Sequence, residues 1–302
     1  MKIYLNRQPK YGPWGGGSKT INKLVEALLS RGHTVVYQLQ DSIDLIFCID
    51  PRPNTYGENI YHLLNYKNLF KTKIIQRVGD VGTHSKPHLT EILKETIQEV
   101  DHVIFPSVWA KETIGFVKDN CDVIYNSPMK EFYKNRINTN IAQKPPKVVT
   151  HHWSTNPKKG FKFYEEFDKY CQLTGEFEFY YIGQKPSGFS VKNYKSPIDV
   201  DELSLSLPKY DIYLTASEEE AGANHVLEAM ASGLPIVYKN TGGSITEYCN
   251  LYGVEYSNFL ELVESVKIVS NQYSNYKSKV LSYNSKMDDV VKKYCDIIEE
   301  IK

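Results

Sequence analysis

Ala216 to Gly243 reads ASEEEAGANHVLEAMASGLPIVYKNTGG. Three acids, a small flexible turn, a helical run with a further acid, a Gly-Leu-Pro break, a short apolar strand and a double glycine follow one another without filler. Tyr210 to Ser217 is an apolar strand that delivers the acids. Beyond them, Asn224 to Ser232 has helical spacing and Pro235 to Lys239 is again a strand. Strand, helix and strand in that order belong to a parallel sheet, whose ligands sit outside the carboxyl ends of the strands. The acids therefore lie where a ligand is expected. Carboxylates accept hydroxyls, and the amides of a helix start donate to phosphates.

The same alternation extends outward. Upstream, Val148 to Trp153 and Phe177 to Gly183 read as strands, with helices at Phe161 to Leu173 and Val200 to Leu207. Downstream, a helix spans Asn258 to Tyr273, and an amphipathic helix, Lys286 to Ile301, ends the pattern. Lys144-Pro-Pro-Lys147 follows a polar segment and reads as a linker. Before it a second series runs through strands at Lys2 to Asn6, Thr34 to Leu39, Asp44 to Asp50, Lys73 to Val78, His102 to Ser107 and Asp122 to Asn126. Several are apolar throughout, as strands buried on both faces are. Helical patterns such as Ser18 to Arg31, Pro87 to Val100 and Val108 to Phe116 lie between them.

A chain of 302 residues exceeds what one core usually serves. The expectation is two doubly wound α/β domains, 1–143 and 147–283, with the helix at 286–302 joining the first.

Thirty-six basic and thirty-six acidic residues cancel. No whole-protein field draws nucleic acid or an anionic membrane, so an anionic ligand must be held locally. Cys48, Cys121, Cys171, Cys249 and Cys295 are odd in number and without metal-ligand spacing, which reads as reduced thiols in a cytoplasmic protein. The opening MKIYLNRQPKYGPWGGG lacks an apolar run behind its charge. Nowhere do about 18 uncharged apolar residues follow one another. The expectation is neither a secreted nor an integral membrane protein.

Three constellations carry chemistry. Gly12 to Thr20 suggests a nucleotide-hydrolase loop, with Asp44 to Asp50 as its magnesium strand. However, Ser18 separates Lys19 from the last glycine and turns it by about 100° around the helix. A plain glycine turn explains the stretch better. Asp199-Val-Asp201 has the look of a metal-carrying pair, but acids before Glu202-Leu203 read as a helix start, so no metal is assigned. Glu220 and Glu228 differ. Eight residues apart, one before a helix and one about two turns beyond, they can face one side and accept the vicinal diols of a hexose and a ribose. Glu218 and Glu219 read as ordinary dipole partners. A diphosphate at this helix start would repel Glu220 unless Glu220 faces a neutral sugar and cations face the phosphates. Lys158, Lys159 and Arg77 are available, and Asn224, His225 and Val226 supply amides.

These residues resemble the retaining, nucleotide-sugar-dependent glycosyltransferases of family 4, which have the GT-B architecture of two Rossmann-like domains facing across a cleft. Gly15-Gly16, Leu24, Leu28 and Arg31-Gly32-His33-Thr34-Val35 are similar to the family's opening loop and helix. Asp101 to Ser107, Val123 to Asn126, Pro157-Lys-Lys-Gly160 and Tyr210 to Ser217 match its later pieces in order. Glu220, seven residues, then Glu228-Ala-Met-Ala-Ser-Gly-Leu-Pro235 resembles its signature, continued by Gly242-Gly243 and Glu247.

The resemblance implies transfer of a sugar from a UDP- or GDP-sugar to a carbohydrate, lipid-linked or small-molecule acceptor, with retention and without metal or other cofactor. In it Glu220 holds the donor sugar, Glu228 the ribose and Lys159 the diphosphate, with Lys158, Gly222, Gly15 and Gly16 close by. It implies no nucleic-acid partner and is compatible with peripheral membrane contact. It leaves the oligomeric state open. Three departures stand out. Ser154 occupies the place of the family's usual arginine, for which Arg77, His152 or Lys158 is the substitute. Ala221-Gly222-Ala223 replaces Gly-aromatic-Gly. No residue matches the family's N-domain histidine cleanly, and His84, near Asp80 on the acceptor side, is the nearest candidate. Ser154 and the altered turn also motivate an alternative, a nucleotide-sugar binding module without catalysis.

Overall fold

A computed structural model of the chain describes residues 1–9, 16–84, 86–139 and 142–301. Two compact units make it up, Met1–Asn126 with Met287–Lys302, and Ser127–Lys286.

The first unit runs β1 (Lys2–Leu5), α1 (Gly16–Ser30), β2 (Thr34–Val36), β3 (Leu45–Cys48), α2 (Ile60–Phe70), β4 (Lys73–Arg77), α3 (Pro87–Thr96), β5 (His102–Phe105), α4 (Val108–Ile114) and β6 (Cys121–Val123). Its six strands pair in parallel in the order β2-β1-β3-β4-β5-β6. All four residues of β3 are buried, as a strand covered on both faces requires. The chain leaves β1 toward β2 and then crosses to β3 on the other side, so the switch point falls between β1 and β3.

The second unit runs α5 (Lys130–Lys134), β7 (Lys147–His152), α6 (Phe161–Thr174), β8 (Glu178–Gly183), β9 (Asn193–Lys195), α7 (Val200–Ser206), β10 (Ile212–Thr215), α8 (Asn224–Ala231), β11 (Ile236–Lys239), α9 (Ser244–Cys249), β12 (Gly253–Tyr256), α10 (Phe259–Asn271) and α11 (Tyr273–Leu281). Its sheet is parallel, in the order β12-β11-β10-β7-β8-β9. Here the switch point lies between β7 and β10.

The last helix, α12 (Met287–Glu300), belongs to the first unit. Arg31 on the loop after α1 pairs with Asp296 and Glu299, each at 3.0 Å. Tyr294 is fully buried and accepts from Arg77 Nε at 3.0 Å. Among the described residues no helix is long and apolar enough to cross a membrane.

The chain divides earlier than the linker at Lys144 to Lys147 suggests. Residues after Asn126 pack into the second unit: Phe132 is fully buried in its core, Asn135 donates to Ser204 Oγ at 2.9 Å and Arg136 to the Leu281 carbonyl at 3.1 Å. The helix expected over Asn258 to Tyr273 ends at Asn271, and Tyr273 opens a second helix. Asp199 caps α7, accepting from Glu202 N at 2.9 Å.

Candidate functional site

At the switch point of the second unit, β7 ends in His151-His152 and β10 leads into Thr215-Ala216-Ser217. Buried hydroxyls knit the two strand ends. Tyr164 OH accepts from Ala216 N at 2.8 Å and lies 2.7 Å from His152 Nε2. Thr215 Oγ1 lies 3.0 Å from His225 Nε2 and accepts from Ser217 N at 3.3 Å.

Both rings are held neutral. Burial lowers His152 well below the usual histidine range, helped by His225 and Lys159. Burial likewise takes His225 down to about 3, outweighing the opposing Glu220 charge. A neutral ring has one donor and one acceptor nitrogen, so each of these contacts is a single hydrogen bond whose direction follows the ring's tautomer. A His152 ring held neutral in this way offers a phosphate a hydrogen bond but not the positive charge of an arginine.

The sign of the pH dependence follows. Below about pH 6.5 the unfolded chain protonates both rings while the native state does not. Stability is thus lost as pH falls below about 6.5, for His225 down to about 3, by about 1 kcal/mol per ring per pH unit. The urea midpoint of the second unit should drop between pH 7 and pH 5, and drop less in His225→Gln. A midpoint equal at both pH values would contradict two neutral buried histidines.

Beyond Ser217 the backbone is fixed on both sides. Glu218 N donates to Lys158 O at 2.9 Å, Glu219 N to Thr241 O at 2.9 Å and Glu220 N to Gly242 O at 3.1 Å, while Glu220 O accepts from Ser244 N at 2.8 Å. Each acid also meets a lysine: Glu218 pairs with Lys239, Glu219 with Lys158 and Glu220 with Lys159. The last pair is the most enclosed, its side chains 12% and 14% exposed for Lys159 and Glu220.

Lys158 and Lys159 sit on a 3-10 turn, Pro157–Lys159, closed by Gly160 at φ +77°, whereas Lys239 ends β11. A Cβ there would stand 2.5 Å from Ala216 Cβ and run into the Ala216 carbonyl. Only glycine lets this turn approach the end of β10. Gly160→Ala is expected to cost about 3 kcal/mol, left-handed strain plus overpacking, seen as a lower urea midpoint. An unchanged midpoint would show that the turn does not need this approach.

Glu228 sits in the second turn of α8, its side chain 6% exposed. His151 Nε2 donates to Glu228 Oε2 at 3.0 Å, and Tyr213 OH lies 3.1 Å from His151 Nδ1. A ring bonded at both nitrogens has a fixed orientation, and it fixes the carboxylate in turn. No side chain caps the start of α8 at Ala223, so the amides of Asn224, His225 and Val226 face outward from the first turn. Gly222 is half-buried in the loop before it.

The second unit thus brings together Glu220, Lys159, Lys158, Glu228 and the start of α8. Ser154 is exposed, and its hydroxyl accepts from Asn156 N at 3.2 Å. Arg77, Asp80 and His84 belong to the first unit, where Asp80 pairs with Lys86 at 2.6 Å and His84 is half-buried. Gly16 is the first residue of α1, and Gly15 lies outside the described residues. The sequence reading passed over His151, Tyr213, Tyr164 and Lys239. Its one available signal was the polar pair His151-His152 closing an otherwise apolar strand. Among the described residues no group of three or more His, Cys, Asp or Glu side chains is placed to hold a metal ion.

No protein-family model and no curated protein matches the chain. Solved structures do resemble it. Anabaena HepE in complex with UDP-glucose aligns over 99% of both chains at 14% identity, with a TM-score of 0.70. Sucrose-phosphate synthase from Thermosynechococcus elongatus aligns over 99% of this chain and 98% of its own at 12% identity, with a TM-score of 0.72. WaaG, a glycosyltransferase involved in lipopolysaccharide biosynthesis, aligns over 99% of both chains at 13% identity, with a TM-score of 0.68. At these identities the likeness is one of fold, and the fold is GT-B.

Proposed function

We propose that the chain is a family 4 type glycosyltransferase that moves a hexosyl group from a UDP- or GDP-sugar to a carbohydrate or lipid-linked acceptor, with retention and without a metal. The observation that carries this reading is the enclosed Lys159–Glu220 pair beside an uncapped helix start. A carboxylate for sugar hydroxyls and donors for a diphosphate stand side by side there. Glu228, oriented by His151, takes the ribose diol.

The amides of Asn224 to Val226 and the Lys159 ammonium then face the diphosphate and stabilise the charge it gains on leaving. The bond from the anomeric carbon to the diphosphate oxygen breaks. The acceptor oxygen bonds to that carbon on the same face and passes its proton to the departing diphosphate. No protein nucleophile is required. HepE was captured with UDP-glucose, which makes that compound the first donor to try.

The test is UDP release from UDP-glucose by the purified protein with a broad acceptor panel, after a thermal-shift screen of UDP-, GDP- and ADP-sugars. Turnover that survives EDTA is expected. Strict metal dependence would overturn the metal-free part. Donor binding without turnover on any acceptor would favour the binding-module reading that Ser154 motivates.

A further inference from the structure

The first unit holds a cleft of about 630 Å³ at its own switch point. Its walls come from the carboxyl ends of three strands: Arg7 after β1, Asp50 and Arg52 after β3, and Arg77 with Asp80 at β4. Asn6 ties the first two together, accepting from Ile49 N at 2.8 Å and donating to the Asp50 carbonyl.

The charges do not balance. Asp50 serves two arginines, Arg52 at 2.6 Å and Arg7 at 3.3 Å. Burial would raise its pKa, but the bonds from Arg52 and the charge of Arg7 outweigh this and hold it below the usual carboxylate range. Asp80 is already paired with Lys86.

Among the described residues Arg77 has no carboxylate partner. It is 6% exposed, and its partners are the neutral Tyr294 hydroxyl and the Asn126 side-chain oxygen, both at 3.0 Å. Its Nη1 points along Gly79, where a Cβ would come within 2.8 Å. A buried guanidinium with only neutral partners is costly unless an anion completes it. Among the described residues the cleft is thus lined by three arginines, Arg7, Arg52 and Arg77, against two carboxylates, one of which is taken by Lys86 from outside the lining.

We propose that this cleft receives a sugar bearing an oxyanion, phosphate or carboxylate, whose oxygens meet the Nη1 edges of Arg77 and Arg52, the edges turned away from Tyr294 and Asn126 and from Asp50. That this sugar is the acceptor rests on the transferase reading, whereas the oxyanion preference does not. Arg77 is thereby assigned to the acceptor and not to the donor diphosphate.

Isothermal titration of the purified protein with glucose 6-phosphate, glucuronic acid and glucose, each with and without saturating UDP, tests this. Both charged sugars should bind at least tenfold more tightly than glucose, and UDP should not displace them. Arg52→Gln and Arg77→Lys should each remove most of that preference, with UDP affinity unchanged in Arg52→Gln. Equal affinity for the three sugars, or a preference that survives both substitutions, would overturn the proposal. Loss of glucose 6-phosphate binding on adding UDP would overturn it too, by placing the donor diphosphate on these arginines. If UDP-glucose is never turned over but the preference holds, only the transferase reading fails.

Discussion

Glu220→Gln is expected to lower the transfer rate by about 10²- to 10³-fold, the usual effect of removing one preorganised group at a reacting centre, while UDP binds as tightly as before or more tightly. Without donor, the Glu220 carboxylate holds the Lys159 ammonium. A bound diphosphate must draw that ammonium toward itself and tolerate the carboxylate nearby. Glutamine keeps the shape and can still accept from a hydroxyl, but it carries no charge to compete with the phosphates or to favour the positive charge developing on the sugar. Rate and nucleotide affinity should therefore move apart. Titration of UDP beside steady-state transfer from UDP-glucose decides the matter. Parallel losses in both would remove Glu220 from the sugar and place it with the phosphates.

How far the sequence revealed the molecule depends on the range of each interaction. Apolar strands such as Leu45–Cys48 and Ile212–Thr215 announce themselves, because burial on both faces leaves no polar position. Asp199 was readable too, since a helix cap is a local event, whereas Gly160 stood only as part of a matched motif and its left-handed turn shows in the structure. Helix α2 was not named, although Asn59 and His62 form a capping box before an apolar run. Helix α5 escaped because a five-residue helix with Phe132 as its one buried side chain has no period to detect.

Pairing across the fold was less readable still. His151 and Glu228 are 77 positions apart and meet only because β7 neighbours β10. Nor does spacing tell whether Lys158 faces phosphate or carboxylate; the Glu219 pairing emerges only when two loops converge. Nor did spacing bring the cleft arginines together: Arg52 follows β3 and Arg7 follows β1, and they share Asp50 only because those strands are neighbours.

Lys159→Ala should behave differently from Glu220→Gln, and the contrast separates sugar from phosphate. Deleting the ammonium removes a charge-assisted contact worth about 1.5–3 kcal/mol, so UDP affinity should fall by roughly 10- to 100-fold. It also strands Glu220, which is 14% exposed, beside the incoming anion. Transfer should fall further than binding, by about 10³-fold, because the same ammonium stabilises the leaving group as its charge grows. The stranded carboxylate should lower stability by about 1–3 kcal/mol, read from the urea midpoint. Combining both substitutions supplies the internal control. With Glu220 already neutral, losing Lys159 leaves no unpaired charge, so the double variant should recover stability and part of the UDP affinity relative to Lys159→Ala, while transfer stays near the worse single variant. Effects that simply add would mean that the two side chains act independently and that their pairing does not organise the donor site.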